Sequence, residues 1–179
     1  NRADISNCTN EGTVTNERTA QHKEEFFGGI VGYTENNSYS FITGCTNSGT
    51  VAYLMPTRSG TGEKTVSNNY HACVGGILGC LKGVGTVTSC INDGSVTCEA
   101  AGGTYHGIGG VVGFHNTSGA GFVTNCKNTS NGVITANLNY SNSTGCGIGG
   151  IIGINVQTTL TGNANEGSVT VNNTNAGPT

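Results

Sequence analysis

The chain has 179 residues, of which 31 are glycine and only 9% are charged, and its formal net charge is −3. About a quarter of the residues of an ordinary globular protein are charged, so this chain must form its polar surface mainly from Asn, Thr, Ser and backbone amides. Its seven basic residues form no stripe for nucleic acid, and no run of 18 apolar residues predicts a membrane-spanning helix.

One phrase recurs along the chain: apolar, Thr or Ser, any, Cys, any, Asn, any, Gly, any, apolar. The five copies are ISNCTNEGTV (5–14), ITGCTNSGTV (42–51), VTSCINDGSV (87–96), VTNCKNTSNGVI (123–134) and LTGNANEGSV (160–169). Alternating Thr, Val and Ile favour strands. An Asn followed two residues later by Gly favours a turn. Each copy therefore predicts two short strands joined by a turn.

A second phrase lies between successive copies of the first. It occurs as GGIVG (28–32), GGILG (75–79), GGVVG (109–113) and GGIIG (149–153). The chain thus contains about four and a half copies of a unit of 36 to 45 residues, and it starts and stops within that unit. We expect residues 1–179 to form a single repeat domain that is a fragment of a longer array.

A repeat of this length cannot bury its own apolar face and must stack on its neighbours. The sequence therefore predicts an all-β fold, a β-solenoid resembling a parallel β-helix. We expect each repeat to supply two coils of about 18 to 20 residues, which places equivalent residues of successive repeats about 9 to 10 Å apart. The stacked positions predict a row of cysteines (Cys8, Cys45, Cys90, Cys126) and a row of asparagines (Asn10, Asn47, Asn92, Asn128, Asn165).

The glycine phrases predict strands whose side chains alternate between two faces. In such a strand Ile30 and Val31 point in opposite directions, as do the equivalent pairs in the other copies. One member of each pair enters the core, and we expect the other to form an apolar stripe that a loop or a partner covers.

The glycine phrases, each followed by the Cys-x-Asn-x-Gly phrase, resemble the GLUG motif. This short repeat is found in bacterial surface proteins and beside the catalytic region of some IgA-cleaving peptidases. The resemblance covers nearly all of the chain. It implies a β-solenoid segment of a secreted or cell-surface protein, and it implies no catalytic residue.

Eight cysteines invite a disulfide interpretation in an extracellular chain. At the expected 9 to 10 Å spacing the cysteine row is too widely spaced for bridges, whose Cα atoms lie about 4.4 to 6.8 Å apart, so we expect core thiols there. The other four cysteines (Cys73, Cys80, Cys98, Cys146) can include a pair, and Cys73 with Cys98 is one possibility. No metal site is expected, because no CxxC motif occurs.

Seven sequons allow N-glycosylation, at Asn7, Asn36, Asn116, Asn128, Asn139, Asn142 and Asn172. In a secreted eukaryotic protein we expect glycan chiefly on the loop positions Asn36, Asn116 and Asn142.

Signs of catalysis are weak. A GxGxxxG pattern occurs at Gly107 and Gly147, but neither copy has the following helix and acidic residue that dinucleotide binding requires. No cluster of acids or known catalytic motif is present, and the four histidines are expected to be solvated. We therefore expect no enzymatic activity and no cofactor.

The longest insertion, residues 53–72, is the candidate ligand loop. It contains Tyr53, Arg58, Lys64, Tyr70 and His71. Aromatic side chains with cationic neighbours are suited to a sugar or peptide contact. The alternative is a loop with no binding role.

The leading hypothesis is a non-enzymatic structural and adhesive segment of an extracellular or cell-surface protein. It would be a stalk or an interaction surface, its partner being a second copy, stacked end to end or laterally, or a cell-surface glycan or protein. The alternatives are recognition of carbohydrate or glycoprotein through the 53–72 loop, ice binding through a Thr-rich face, and an accessory role beside a secreted peptidase.

Overall fold

The computed structural model describes residues 2–16, 24–35, 39–54, 71–101, 106–116, 121–139 and 146–173. Every regular element in these ranges is a β-strand, and all strand pairs are parallel. The predicted all-β solenoid is therefore confirmed. Among these residues no helix is long and apolar enough to cross a membrane.

Each complete coil contains five strands, which are numbered along the chain. The first coil contains β1 (Arg2–Ser6), β2 (Thr9–Asn10), β3 (Thr13–Thr15), β4 (Glu24–Gly28) and β5 (Val31–Thr34). The second contains β6 (Tyr39–Thr43), β7 (Thr46–Asn47), β8 (Thr50–Tyr53), β9 (His71–Gly75) and β10 (Leu78–Lys82). The third contains β11 (Gly85–Thr88), β12 (Ile91–Asn92), β13 (Ser95–Ala101), β14 (Gly107–Gly109) and β15 (Val112–Asn116). The fourth contains β16 (Gly121–Thr124), β17 (Lys127–Asn128), β18 (Ile134–Asn139), β19 (Gly147–Gly149) and β20 (Ile152–Asn155). The strands β21 (Thr158–Thr161), β22 (Ala164–Asn165) and β23 (Val169–Asn173) follow.

Equivalent strands of successive coils pair and form five sheets. Sheet A contains β1, β6, β11, β16 and β21, and sheet B contains β2, β7, β12, β17 and β22. Sheet C contains β3, β8, β13, β18 and β23. Sheet D contains β4, β9, β14 and β19, and sheet E contains β5, β10, β15 and β20.

Each sequence repeat forms one coil, not two. Ile5 pairs directly with Ile42, and Ile42 pairs with Val87, so equivalent residues of successive repeats are neighbours in one sheet. The expectation of two coils per repeat is therefore wrong. The reason is that the glycine phrase does not begin a second coil, since its two strands, one in sheet D and one in sheet E, fold back inside the first.

The cross-section has four layers in the order C, D, E, A, and the short strands of sheet B join the two outer walls. One apolar core lies between sheets C and D and contains Val51, Val96, Val74 and Ile108. The other lies between sheets E and A and contains Leu78, Val112, Ile42 and Val87.

Sheets D and E approach each other backbone to backbone. A Cβ atom added at Gly79 would lie 2.7 Å from the backbone nitrogen of Phe27, and one added at Gly113 would lie 2.7 Å from the nitrogen of Val74. No room for a side chain exists at these positions, which explains the last glycine of the phrase.

The glycine phrase forms a corner and not a straight strand. The chain bends at Gly76 and Ile77, between β9 and β10, and the equivalent residues of the other copies bend in the same way. Because of this bend, Ile77 and Leu78 both enter the core between sheets E and A. The predicted outward apolar stripe is therefore wrong, since all four pairs contribute to this core (Ile30, Val31, Ile77, Leu78, Val111, Val112, Ile151, Ile152).

Candidate functional site

The outer surface of sheet A carries two side-chain rows that run along the stack. One row contains Asp4, Phe41, Thr86, Phe122 and Thr159, and the other contains Ser6, Thr43, Thr88, Thr124 and Thr161. The residues between them, such as Ile42 and Val87, point into the core. We call this surface the sheet-A face.

Two phenylalanines of the sheet-A face occupy the same row, with one coil between them. Phe122 is 42% exposed and Phe41 is half-buried. Strands of a sheet lie about 4.8 Å apart, so the two rings are separated by about 10 Å along the stack. These rings were not predicted, although the repeat phrases contain a signal for them: both rings directly precede the apolar residue that opens a copy.

The neighbouring row carries a hydroxyl group in every coil. The Oγ1 atoms of Thr88 and Thr124 are 3.1 Å apart and share a hydrogen bond. Asp4 is the charged residue of these two rows, and it forms a salt bridge of 2.9 Å with Arg2. The guanidinium group of Arg2 lies 4.8 Å from the centre of the Phe41 ring. The face is therefore almost neutral and combines aromatic rings with hydroxyl groups on a rigid sheet.

Neither outer wall has two adjacent unbroken rows of threonine, the feature that ice binding requires. On sheet A, Phe41 and Phe122 interrupt the second row. On sheet C, Ala52 interrupts the row that contains Thr15, Thr97 and Thr135.

The predicted ligand loop is only partly described. Tyr53 was expected at an exposed contact position, and this is wrong, because its side chain is fully buried with its ring 5.6 Å from that of Phe27. His71 is half-buried in β9, where it pairs with Glu24 of β4. Arg58, Lys64 and Tyr70 lie outside the described residues.

The asparagine row forms a hydrogen-bonded ladder along sheet B. In each coil the side-chain nitrogen donates to the side-chain oxygen of the next asparagine, at 2.7 to 2.8 Å from Asn10 through to Asn165. The same nitrogen also donates to a nearby glycine carbonyl, such as that of Gly94. Since a carbonyl can only accept, this contact fixes the orientation of the amide. The ladder runs in one direction and leaves Asn47, Asn92 and Asn128 fully buried.

The cysteine row occupies successive coils, so its members are about 4.8 Å apart and not the expected 9 to 10 Å. This spacing lies within the range of Cα separations found in disulfides, so the reason for expecting core thiols in this row is wrong. Cys45, Cys90 and Cys126 are buried, whereas Cys8 is exposed. The thiol of Cys126 donates to the carbonyl of Val87 in the preceding coil. In the fifth copy Asn163 takes the cysteine position. Its side-chain nitrogen donates to the equivalent carbonyl of Val123 at 2.8 Å, so it keeps the same contact.

All eight cysteines are thiols in the structure. A hydrogen bond with Cys126 and burial raise the pKa of Cys90, and burial raises the pKa of Cys98. Only the thiolate is nucleophilic, so these thiols are protonated and unreactive at neutral pH.

Two histidines expected to be solvated are fully buried, namely His106 and His115. The Nδ1 atom of His106 accepts a hydrogen bond from the backbone N–H of Ala72 at 3.1 Å. Neither ring nitrogen of His115 has a hydrogen-bond partner within the described part of the chain. Burial lowers the pKa of His115 to about 4, so its imidazole is neutral at pH 7.

The asparagines of the seven sequons differ in where they lie in the structure. Asn128 is fully buried in the ladder, so a glycan there is incompatible with the fold and that candidate is wrong. Asn7 and Asn172 are exposed, Asn116 and Asn139 end strands, and Asn36 and Asn142 lie outside the described residues.

Within the described ranges, no three His, Cys, Asp or Glu residues are grouped so that they could hold a metal ion. No protein family, curated protein or solved structure matches this chain.

Proposed function

We propose that this chain is a non-enzymatic structural and adhesive segment of an extracellular or cell-surface protein, which contacts its partner through the sheet-A face. The observation that carries the proposal is the pair of outward rings, Phe41 and Phe122, beside an unbroken row of hydroxyl groups. The resemblance to GLUG-motif repeats supports the same location.

The chemistry of the sheet-A face favours an extended neutral polysaccharide. Sugar rings present a C–H face that stacks on aromatic rings and hydroxyl groups that exchange hydrogen bonds with Thr and Ser. A spacing of about 10 Å between Phe41 and Phe122 lets two sugars of one extended chain stack at once. The near absence of charge disfavours nucleic acid and highly charged polymers.

We therefore propose the sheet-A face, and not the 53–72 loop, as the surface that recognises carbohydrate. The buried ring of Tyr53 removes one of the two aromatic contacts on which the loop hypothesis depends. Stacking with a second copy and an accessory role beside a peptidase stay predictions.

Affinity gel electrophoresis with soluble β-glucan, xylan and mannan tests the proposal. We expect at least one of these polysaccharides to retard the protein. Phe122→Ala should weaken that binding about tenfold, because one stacking contact is worth about 1.4 kcal/mol.

The matched control is Val133→Ala, which removes an equally exposed apolar side chain (41%) beside sheet C. This variant should bind like the unmodified protein. Equal binding by Phe122→Ala and the unmodified protein, or no retardation by any polysaccharide, would reject the proposal.

A further inference from the structure

The layer between sheets D and E contains a pair of facing side-chain positions in every coil. Register along sheet D aligns Phe26, Cys73, Gly107 and Gly147. Register along sheet E aligns Tyr33, Cys80, Phe114 and Ile154. The four facing pairs are therefore Phe26 with Tyr33, Cys73 with Cys80, Gly107 with Phe114, and Gly147 with Ile154.

Distances in the other coils show how closely these positions face each other. The rings of Phe26 and Tyr33 stack with their centres 4.9 Å apart. A Cβ atom added at Gly107 would lie 3.1 Å from the Cβ of Phe114. The Cβ atoms of a disulfide lie about 3.5 to 4.5 Å apart, so facing positions in this layer come close enough for a disulfide, and at Gly107 and Phe114 they are closer than one requires.

Cys73 and Cys80 occupy these facing positions in the second coil, and both are fully buried. The nearby thiol of Cys80, together with burial, raises the pKa of Cys73. They lie seven residues apart in sequence, one on each side of the bend at Gly76 and Ile77, so the pairing is local. The possible partner considered from the sequence, Cys98, lies instead in the core between sheets C and D.

We propose that Cys73 and Cys80 form a disulfide bond across the layer between sheets D and E when the protein folds under oxidising conditions. A disulfide would join the two inner strands of this coil next to their corner.

The oxidant is a small-molecule disulfide such as oxidised glutathione. One cysteine thiolate attacks the glutathione disulfide, which forms a mixed disulfide and releases one glutathione thiolate. The second cysteine thiolate attacks the protein sulfur of the mixed disulfide and displaces the second glutathione. Two protein thiols are oxidised to one disulfide, and one glutathione disulfide is reduced to two thiols, which take up the two protons that the protein thiols lose. Because both cysteines are buried in the folded protein, the exchange takes place before the coil closes.

Peptide mapping tests the proposal directly. The protein is refolded in a buffer of reduced and oxidised glutathione, denatured, alkylated with iodoacetamide and digested with trypsin. Cleavage after Lys64 and Lys82 releases peptide 65–82, which contains Cys73, Cys80 and no other cysteine. We expect this peptide to be unalkylated and lighter than its reduced form by two hydrogen atoms.

Two outcomes would overturn the proposal. One is a doubly alkylated peptide 65–82 after refolding under oxidising conditions. The other is a cross-link from peptide 65–82 to peptide 83–127, which would place the partner at Cys90, Cys98 or Cys126.

Urea unfolding of the oxidised and reduced proteins provides an independent measurement. The oxidised protein should unfold at a higher urea concentration, because the disulfide restricts the unfolded chain. The matched control Cys98→Ala, which leaves the pair intact, should retain this difference, and its loss in that variant would contradict the assignment. A Cys73→Ala/Cys80→Ala double variant should abolish the difference, and if that variant does not fold, the peptide map of the unmodified protein still decides.

Discussion

The asparagine ladder of sheet B and the layer between sheets D and E repeat along the same stack, but they differ in sequence. The ladder uses asparagine in all five copies, whereas the layer changes its facing pair in every coil. In the ladder, each side chain bonds to its own copy in the next coil, so a change in one coil breaks contacts in two others. In the layer, the two residues of each facing pair lie in the same coil, so a change in one coil does not remove a bond to the same position of the next coil.

The glycine of the Cys-x-Asn-x-Gly phrase resembles the ladder asparagine, because it also lies against the equivalent residue of the neighbouring coil. A Cβ atom at Gly94 would lie 1.9 Å from the carbonyl oxygen of Gly49, one coil earlier. At Gly12, the same position of the first coil, the nearest atom to such a Cβ is 3.8 Å away. The requirement for glycine therefore comes from stacking.

Gly94→Ala should have the largest effect on stability. The atom that the new methyl group would overlap is backbone and cannot rotate away, so we expect a loss of at least about 4 kcal/mol, above the usual range of about 1 to 3 for overpacking. Urea unfolding followed by circular dichroism measures the loss. Gly12→Ala is the matched control and should cost less than about 1 kcal/mol. Similar losses in the two variants would show that turn conformation, and not stacking, requires the glycine.

Asn92→Ala should follow, with a loss of about 3 kcal/mol. It leaves the side-chain nitrogen of Asn47 and the side-chain oxygen of Asn128 buried without their ladder partner, and each unsatisfied group costs about 1 to 3 kcal/mol. In Asn165→Ala water can replace the lost contact, because that residue is exposed, and the cost should stay below about 1 kcal/mol. Equal urea midpoints for the two variants would argue against a cooperative ladder.

Part of the loss of stability at acidic pH should come from the protonation of His115. Its pKa is lowered from the ordinary 6.5 to about 4 by burial. Above pH 6.5 the imidazole is neutral in both states. As the pH falls below 6.5 the unfolded chain binds a proton that the folded chain does not bind until about pH 4, so stability is lost across this window and the loss levels off below it.

The pKa difference of His115 corresponds to a stability loss of up to about 3 kcal/mol. Urea unfolding at pH 7, 5.5 and 4 should show this loss in the unmodified protein and a smaller loss in His115→Leu. Parallel curves for the two proteins would mean that His115 does not titrate as its burial indicates.

The fold could be predicted from the sequence because the ladder positions repeat their residue types. The number of coils per repeat could not be predicted, because the length of the sequence repeat does not reveal that two strands fold back inside each coil. The prediction that consecutive side chains point to opposite faces was wrong at Ile77 and Leu78, because a bend between two strands lets both residues enter one core. Tyr53 ends a wall strand and His115 lies next to the end of an inner strand, and only the tertiary structure shows that both are covered. For the candidate site, Phe41 and Phe122 could have been found by aligning the repeat copies.

Phe114→Ile should have the smallest effect on stability. This variant tests the layer between sheets D and E, whereas the variants above test the ladder and its glycine. It places in the third coil the residue that the fourth coil already has at this position, Ile154, opposite a glycine in both coils. If each facing pair in the layer between sheets D and E packs independently of its neighbours along the stack, the loss should be about 1 kcal/mol or less, as for other exchanges between large hydrophobic side chains. Urea unfolding of Phe114→Ile beside Asn92→Ala gives the contrast directly. A loss as large as that of Asn92→Ala would mean that stacking of the coils depends on this layer as strictly as on the ladder. Each facing pair would then be required by its own coil and could not be exchanged for the pair of another coil.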